Sequence, residues 1–281
     1  MQTVTTVKEV REILDPIHKK GQTVGLVPTM GYLHDGHLSL IQKAREENDF
    51  VVVSIFVNPT QFSPNEDLDQ YPRDFERDQV LCEAHGVDLI FHPDASEMYH
   101  NHKTYVSVDD LSQKLCGKTR PIHFRGVATV CTKLFHITKA DRAYFGQKDA
   151  QQFFILNKMV RDLNFDIALR LCPIVRAESG LALSSRNKYL SDAEKEDALV
   201  LSRALKEARA LLDAGERQSA VILDAMKKVI ATAPDAKIDY VKIVDVENLD
   251  DVEVIDRDVL VALAVYVGPA RLIDNLIFKF Q

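Results

Sequence analysis

Two rhythms of apolar residues alternate along the first part of the chain. Val7, Val10, Ile13, Leu14 and Ile17 are spaced for one face of a helix from 7 to about 20, with Gly21 as its stop. TVGLVPT (23–29) is a short apolar run that reads as a buried strand. HLSLIQKAREEN (37–48) returns to helical spacing, and FVVVSIFV (50–57) is the continuous β-branched run of a strand covered on both faces. The same alternation predicts helices in DFERDQVLCEAHG (74–86), GVATVCTKLFHITKA (126–140) and DAQQFFILNKMVRDLN (149–164), and strands in VDLIFHP (87–93), RAYFG (142–146) and DIALRLCPIV (166–175). Helices alternating with apolar strands predict an α/β fold built on a Rossmann-like, doubly wound parallel sheet. Such sheets bind ligands beyond the carboxyl ends of their strands, often at helix N-termini.

From about Arg176 the texture changes. SDAEKEDALVLSRALKEARALLDAGE (191–216) and QSAVILDAMKKVIATA (218–233) are charged amphipathic helices. KIDYVKIVDVENL (237–249), VLVALAVYVG (259–268) and ARLIDNLIF (270–278) read as strands, one of them also compatible with a helix. The expected organisation is a catalytic domain over 1–175 and a smaller α+β domain over 176–281.

Composition narrows the class. With 281 residues the chain is long enough to bury a substantial core, and its formal net charge of −7 argues against nucleic acid or an anionic membrane as the main partner. No stretch of about 18 apolar residues suggests a membrane span, and the N-terminus lacks a signal-peptide core. Cys82, Cys116, Cys131 and Cys172 are scattered singly, which suits a reducing, cytoplasmic setting better than a disulfide framework or a zinc site.

Polar signatures cluster where strands hand over to helices. His34 and His37 flank Gly36 in such a junction, where imidazoles, backbone N–H groups and a helix dipole would all favour an anion; a capped turn is the equal alternative. Asn58 and Gln61 in NPTQF (58–62) are neutral hydrogen-bonding groups suited to a polar organic substrate, although Asn-Pro also starts turns. In YFGQKDAQQF (144–153), Lys148 would neutralise phosphate, while Asp149 would reach Mg²⁺ or cap the next helix. Ser184, Ser185 and Arg186 match phosphate oxygens but also suit a linker. Arg120, His123 and Arg125 precede another helix, where a solvated basic face is the alternative. No GxGxxG or GxxxxGK[ST] is present and no Ser or Cys is placed as a nucleophile, which favours nucleotide chemistry by positioning and electrostatics.

PTMGYLHDGH, VSIFVNPTQF, YPRD, HFRGVATVCTKLF, YFGQKDAQQ and GLALSSRN, with ARLIDN near the end, stand in the order and spacing of the pantothenate synthetases. The chain resembles that family of pantoate–β-alanine ligases. The resemblance implies that pantoate and Mg·ATP form pantoyl adenylate and pyrophosphate, after which β-alanine attacks the acyl carbonyl to give pantothenate and AMP. It implies an ATP site lined by Met30, Gly31, Tyr32, Leu33, His34, Asp35, Gly36, His37, Gly146, Gln147, Lys148, Asp149, Val175, Leu183, Ser184, Ser185 and Arg186. His34, His37, Lys148 and Arg186 would carry catalysis, with His37 in the position of the family's proton donor. Gln61 and Gln152 would hold pantoate, with Asn58 and His123 also at the substrate, and Asp149 would lie near ribose or Mg²⁺. Closure of the second domain and a homodimer are implied too. Ile122, Gln147 and Leu183 depart from the family's usual Gly, Glu and Met, and Ile122 would alter the loop carrying His123. A cytidylyltransferase would share the HxGH loop without needing Gln61 and Gln152, and a nucleotide sensor would have no need of Lys148 and Arg186.

Overall fold

The computed structural model describes residues 1–64 and 66–280. The chain divides into two compact units: Met1–Gln113, Gly117–Gln147 and Gln151–Pro173 form the first, and Lys114–Cys116, Lys148–Ala150 and Ile174–Gln281 the second.

In the first unit, strands β1 (Gln2–Val4), β2 (Val24–Thr29), β3 (Phe50–Ile55), β4 (Leu89–Phe91), β5 (Arg142–Gly146) and β6 (Ala168–Cys172) form one parallel sheet in the order β1-β4-β3-β2-β5-β6. Helices α1 (Val7–Lys19), α2 (Asp35–Glu47), α3 (Phe75–Ala84), α4 (Ala95–Tyr99), α5 (Cys116–Thr119), α6 (His123–Thr138) and α7 (Ala150–Asp162) connect the strands. Alternate residues of one strand serve two cores. Val52 of β3 packs with Val10, Leu14, Leu134 and Leu156 on one face of the sheet, while Val51 and Val53 pack with Leu40, Ile41 and Cys82 on the other. This double cover explains the unbroken apolar run in β3.

After β4 the chain returns to lay β5 on the opposite side of β2. The strand order therefore reverses between β2 and β5, the point at which open α/β sheets receive their ligands. The carboxyl ends meeting there are Thr29 and Gly146.

The second unit holds α8 (Asp192–Asp213) and α9 (Ser219–Ile230) with an antiparallel sheet of β7 (Ala236–Asp245), β8 (Val259–Val267) and β9 (Ala270–Phe278) in that order. Ala198, Leu201, Leu205, Ile222 and Met226 of the helices pack on Val261, Leu263 and Val265. All three runs form strands, and ARLIDNLIF is fixed by its pairing with β8 from Val259↔Phe278 to Val267↔Ala270. The six-stranded parallel sheet with a smaller antiparallel unit is the expected fold class. β1, α4 and α5 escaped the sequence pattern because they span only 3, 5 and 4 residues. Among the described residues no helix is long and apolar enough to cross a membrane.

Candidate active site

The loop after β2 is held from beneath. Thr29 Oγ1 donates to the Ser54 carbonyl at 2.8 Å and accepts the Gly31 N–H at 3.1 Å. Gly31 and Tyr32 then take left-handed backbone, φ 82° and 53°. The Asp78 carboxylate on α3, 1% exposed, accepts the Tyr32 and Leu33 N–H groups at 2.7 Å each. Burial raises its pKa from the ordinary value, while the two backbone bonds pull it down.

This support delivers His34 to the N-cap of α2 and His37 to its first turn. His34 Nδ1 accepts the Gly36 N–H at 3.2 Å, and His37 Nδ1 accepts the His34 N–H at 3.3 Å. The rings stand 4.1 Å apart between centroids, tilted by 40°. Both histidines therefore cap the helix, and an accepting Nδ1 puts the proton of a neutral imidazole on Nε2. Capping and phosphate binding are compatible: the cap uses Nδ1 and orients Nε2–H as a donor. Gly36 leaves room for the capping ring. A Cβ there would lie 2.9 Å from both Cε1 and Nδ1 of His34, in the space the capping ring fills.

The turn after β3 is organised by Asn58, which is 1% exposed. Its Nδ2 donates to Gln61 Oε1 at 3.1 Å and to the Gly126 carbonyl at 3.2 Å, and its Oδ1 accepts Tyr99 Oη–H at 2.6 Å and Thr60 Oγ1–H at 3.0 Å. With both amide hydrogens engaged, Asn58 is built into the turn behind Gln61, the turn-forming alternative of the sequence. Gln61, 7% exposed, also donates Nε2–H to Met30 Sδ at 3.0 Å, and its carbonyl lies 3.1 Å from His123 Nδ1. Met30, Gln61 and His123 are thereby brought together. Ile122 has φ −96°, so this position does not demand glycine. Gln152 is half-buried in the first turn of α7. Gly146 and Gln147 follow at the end of β5.

In the second unit, Val175 and Leu183 face each other across a short hairpin. Leu183 N–H donates to the Val175 carbonyl at 3.0 Å, Ala177 N–H to Leu181 O at 2.9 Å, and Gly180 turns the chain with φ 97°. Arg176 braces this hairpin through a two-pronged ion pair with Asp274 of β9, at 2.6 and 2.9 Å. Ser184 caps the 3₁₀ turn Ser185–Tyr189, its Oγ accepting the Arg186 N–H at 3.3 Å. Lys148 Nζ lies 3.7 Å from Asp149 Oδ1, and the Lys148 carbonyl accepts Asn275 Nδ2–H at 3.0 Å. The Asp149 side chain is 50% exposed, and among the described residues no three His, Cys, Asp or Glu side chains gather as a metal cage. One accessible carboxylate nevertheless fits Mg²⁺, which keeps several waters and takes its remaining ligands from phosphates.

A family model described as pantoate-beta-alanine ligase matches residues 2–277. This chain belongs to the pantoate–β-alanine ligase family. It is 57% identical over 278 residues to a pantothenate synthetase of Thermotoga petrophila and 54% identical over 280 residues to one of Clostridium novyi, in each case over 99% of both chains. The crystal structure of pantothenate synthetase from Thermus thermophilus has a TM-score of 0.94 and 46% identity, covering 98% of this chain and 99% of that one. A pantoate-beta-alanine ligase from Francisella tularensis, described as complexed with beta-gamma ATP and beta-alanine, has a TM-score of 0.80 at 35% identity, covering 99% and 97%.

Several supports of this ligase's candidate site were missed in the sequence, although signals existed. Asp78 lies on the stripe Phe75, Asp78, Cys82 at i, i+3, i+7, where a carboxylate would otherwise be excluded from the buried face. Asp274 interrupts the apolar row Ala270, Leu272, Leu276, Phe278 in the same way. Tyr99 gave no signal, because its partner Asn58 is 41 residues away.

Asp78 yields a pH test. A carboxyl whose pKa is raised on folding contributes stability below its unfolded value, about pH 3.9, and loses that contribution as the pH rises through the raised value. Asp78→Asn cannot ionise, so its stability should lack this decline while the Tyr32 and Leu33 N–H groups lose one of their two acceptor oxygens. Urea melts of both proteins at several pH values read the difference; parallel pH profiles would exclude a perturbed Asp78.

Proposed function

We propose that the residues described above carry the family's reaction in this chain, with the paired caps His34 and His37 as the observation on which the proposal chiefly rests. The chain is an ATP-dependent pantoate–β-alanine ligase, condensing pantoate with β-alanine to pantothenate, AMP and pyrophosphate. In our reading the reaction passes through pantoyl adenylate. AMP then serves as the leaving group, and no protein nucleophile is needed. Three of the four thiols agree with this, since burial pushes Cys82 and Cys131 up to about 12 and Cys172 up to about 11, leaving them protonated.

Each residue's role follows from its groups. His34 and His37 would present Nε2–H to phosphate oxygens, and their hydrogen bonds would strengthen as charge builds on the α-phosphorus transition state and departing pyrophosphate. The backbone from Met30 to Leu33, with Asp35 and Gly36, would shape the nucleotide side of this loop. Lys148 and Arg186 would add positive charge, and Ser184 and Ser185 hydroxyl donors, to the triphosphate. Gly146, Gln147, Val175 and Leu183 would contact the nucleoside largely through backbone. Gln61 and Gln152 would bind the hydroxyl and carboxylate groups of pantoate, with Asn58 fixing the Gln61 amide and His123 its main chain. Mg²⁺ would be held by Asp149 together with phosphate oxygens, and would supply charge neutralisation. Homodimer formation belongs to the same proposal and rests on the family resemblance; a cytoplasmic location belongs to it too and rests on the four dispersed cysteines.

The test is an assay with ATP, Mg²⁺, pantoate and β-alanine, following AMP and pantothenate together. Equal formation of the two, dependent on both acids, is expected; AMP release without either acid would refute ligation. For Gln61→Ala, loss of a neutral hydrogen bond of about 1 kcal/mol should raise the KM for pantoate roughly five- to tenfold with little change for ATP. Unaltered pantoate kinetics would remove Gln61 from the substrate site.

A further inference from the structure

The adjacent pair Asp274 and Asn275 of β9 ties down two separate segments. Asp274 is 3% and Asn275 5% exposed. Asp274 lies in the strand row otherwise filled by Ala270, Leu272, Leu276 and Phe278, where an unpaired carboxylate would be strongly disfavoured. Its Oδ1 and Oδ2 accept the Arg176 fork at 2.9 and 2.6 Å, and Oδ1 also accepts the Asn275 N–H at 2.8 Å. Arg176 in turn donates to the Gly180 carbonyl at 3.2 Å. One residue of β9 thus holds the first limb of the hairpin directly and its turn through Arg176, and the returning limb follows through the Leu183 N–H bond to the Val175 carbonyl.

Asn275 leaves the strand on its other face, as successive strand residues must. Its Nδ2–H meets the carbonyl of Lys148 at 3.0 Å. A bond to the main chain restrains where the lysine side chain begins, and so where its ammonium can reach, without consuming the ammonium itself. Placement errors of about 1 Å at such a group cost about a hundredfold in rate.

We propose that Asp274 and Asn275 are positioning residues of the ligase. Asn275 sets Lys148 through its backbone, and Asp274 sets the hairpin and residues 184–186 through Arg176. The inference rests on the reading of Lys148 and Arg186 as triphosphate ligands. It assigns the ARLIDN sequence a role in nucleotide placement, apart from β-alanine or pantoate binding.

Two double-mutant cycles test it, read as kcat and KM for pantoate-dependent pyrophosphate release from ATP in the full-length protein. Asn275→Ala should lower kcat about ten- to a hundredfold with KM for pantoate unchanged, and Lys148→Ala should lower it further. Because Asn275 acts through Lys148, adding Asn275→Ala to Lys148→Ala should cost nothing more. Asp274→Asn combined with Arg186→Ala should be non-additive in the same way. Full, independent losses in the double variants would show that the pair merely supports the fold and would overturn the proposal. If Lys148→Ala and Arg186→Ala left pyrophosphate release intact, the triphosphate reading itself would fall, and the positioning role with it. Should Asn275→Ala not fold, Asn275→Asp keeps the size and replaces the donor by an acceptor facing the Lys148 carbonyl. It should show the same non-additive loss, and wild-type kcat in that variant would equally overturn the inference.

Discussion

Replacing His37 with Ala is expected to slow pantoyl-adenylate formation about 10²- to 10³-fold while changing ATP affinity by no more than about tenfold. The asymmetry follows from where the imidazole acts. On the proposed reading, Nε2–H would contribute one ground-state hydrogen bond to a phosphate that other donors would also solvate. In the transition state charge would be redistributed onto the oxygens it would face, and a donor already oriented by its cap would need no reorganisation. The cap itself is a smaller term. The 3.3 Å bond from the His34 N–H to His37 Nδ1 is worth about 1 kcal/mol to the helix N-terminus, far less than the expected loss in rate. Single-turnover adenylate formation and equilibrium ATP binding separate the two effects. Matching losses in both would mean that His37 only helps ATP to bind.

The second large effect is expected from Gly126→Ala, and its sign decides the argument. In a helix interior, alanine is favoured over glycine by about 1 kcal/mol, so the substitution would stabilise α6 if the space were open. The added Cβ would instead lie 2.5 Å from the Thr60 carbonyl oxygen and 2.6 Å from the Cα and N of Gln61. These are backbone atoms of a turn that Asn58 and Tyr99 hold rigid, so the strain has little means of relaxing. Overpacking of this kind costs about 1–3 kcal/mol, which outweighs the propensity gain. The turn should move away from α6, carrying Gln61 with it. The thermal midpoint should therefore fall by several degrees, and the KM for pantoate should rise at least about tenfold, with the KM for ATP near its original value. A variant as stable as the parent, with unchanged pantoate kinetics, would show that the approach of α6 to residues 58–61 does not place the substrate side chain.

The centre of the sheet was legible in the sequence because β2 and β3, buried on both faces, are nearly unbroken apolar runs, and the histidine loop because it falls where such a run ends. The sequence left open whether His34 and His37 cap a helix or meet a phosphate. The structure resolves this tension by using Nδ1 for the cap, leaving the two roles compatible. Asn58 shows the opposite limit: its residue type suits a substrate contact, yet its hydrogen-bond partners Gly126 and Tyr99 lie 68 and 41 residues away, beyond the reach of local pattern. Asp78 and Asp274 were visible as charges on apolar stripes, but their partners were not, because a buried carboxylate announces only that something must satisfy it. Motif order added what periodicity could not, the identity of the reaction.

The central claim, ligation through an acyl adenylate with no covalent enzyme intermediate, is tested most directly by isotope exchange. The protein is incubated with ATP, Mg²⁺, pantoate and labelled pyrophosphate in the absence of β-alanine. The expected result is label entering ATP at a rate that depends on pantoate and that falls sharply in His37→Ala. Exchange that proceeds without pantoate, or that begins only when β-alanine is added, would contradict the account.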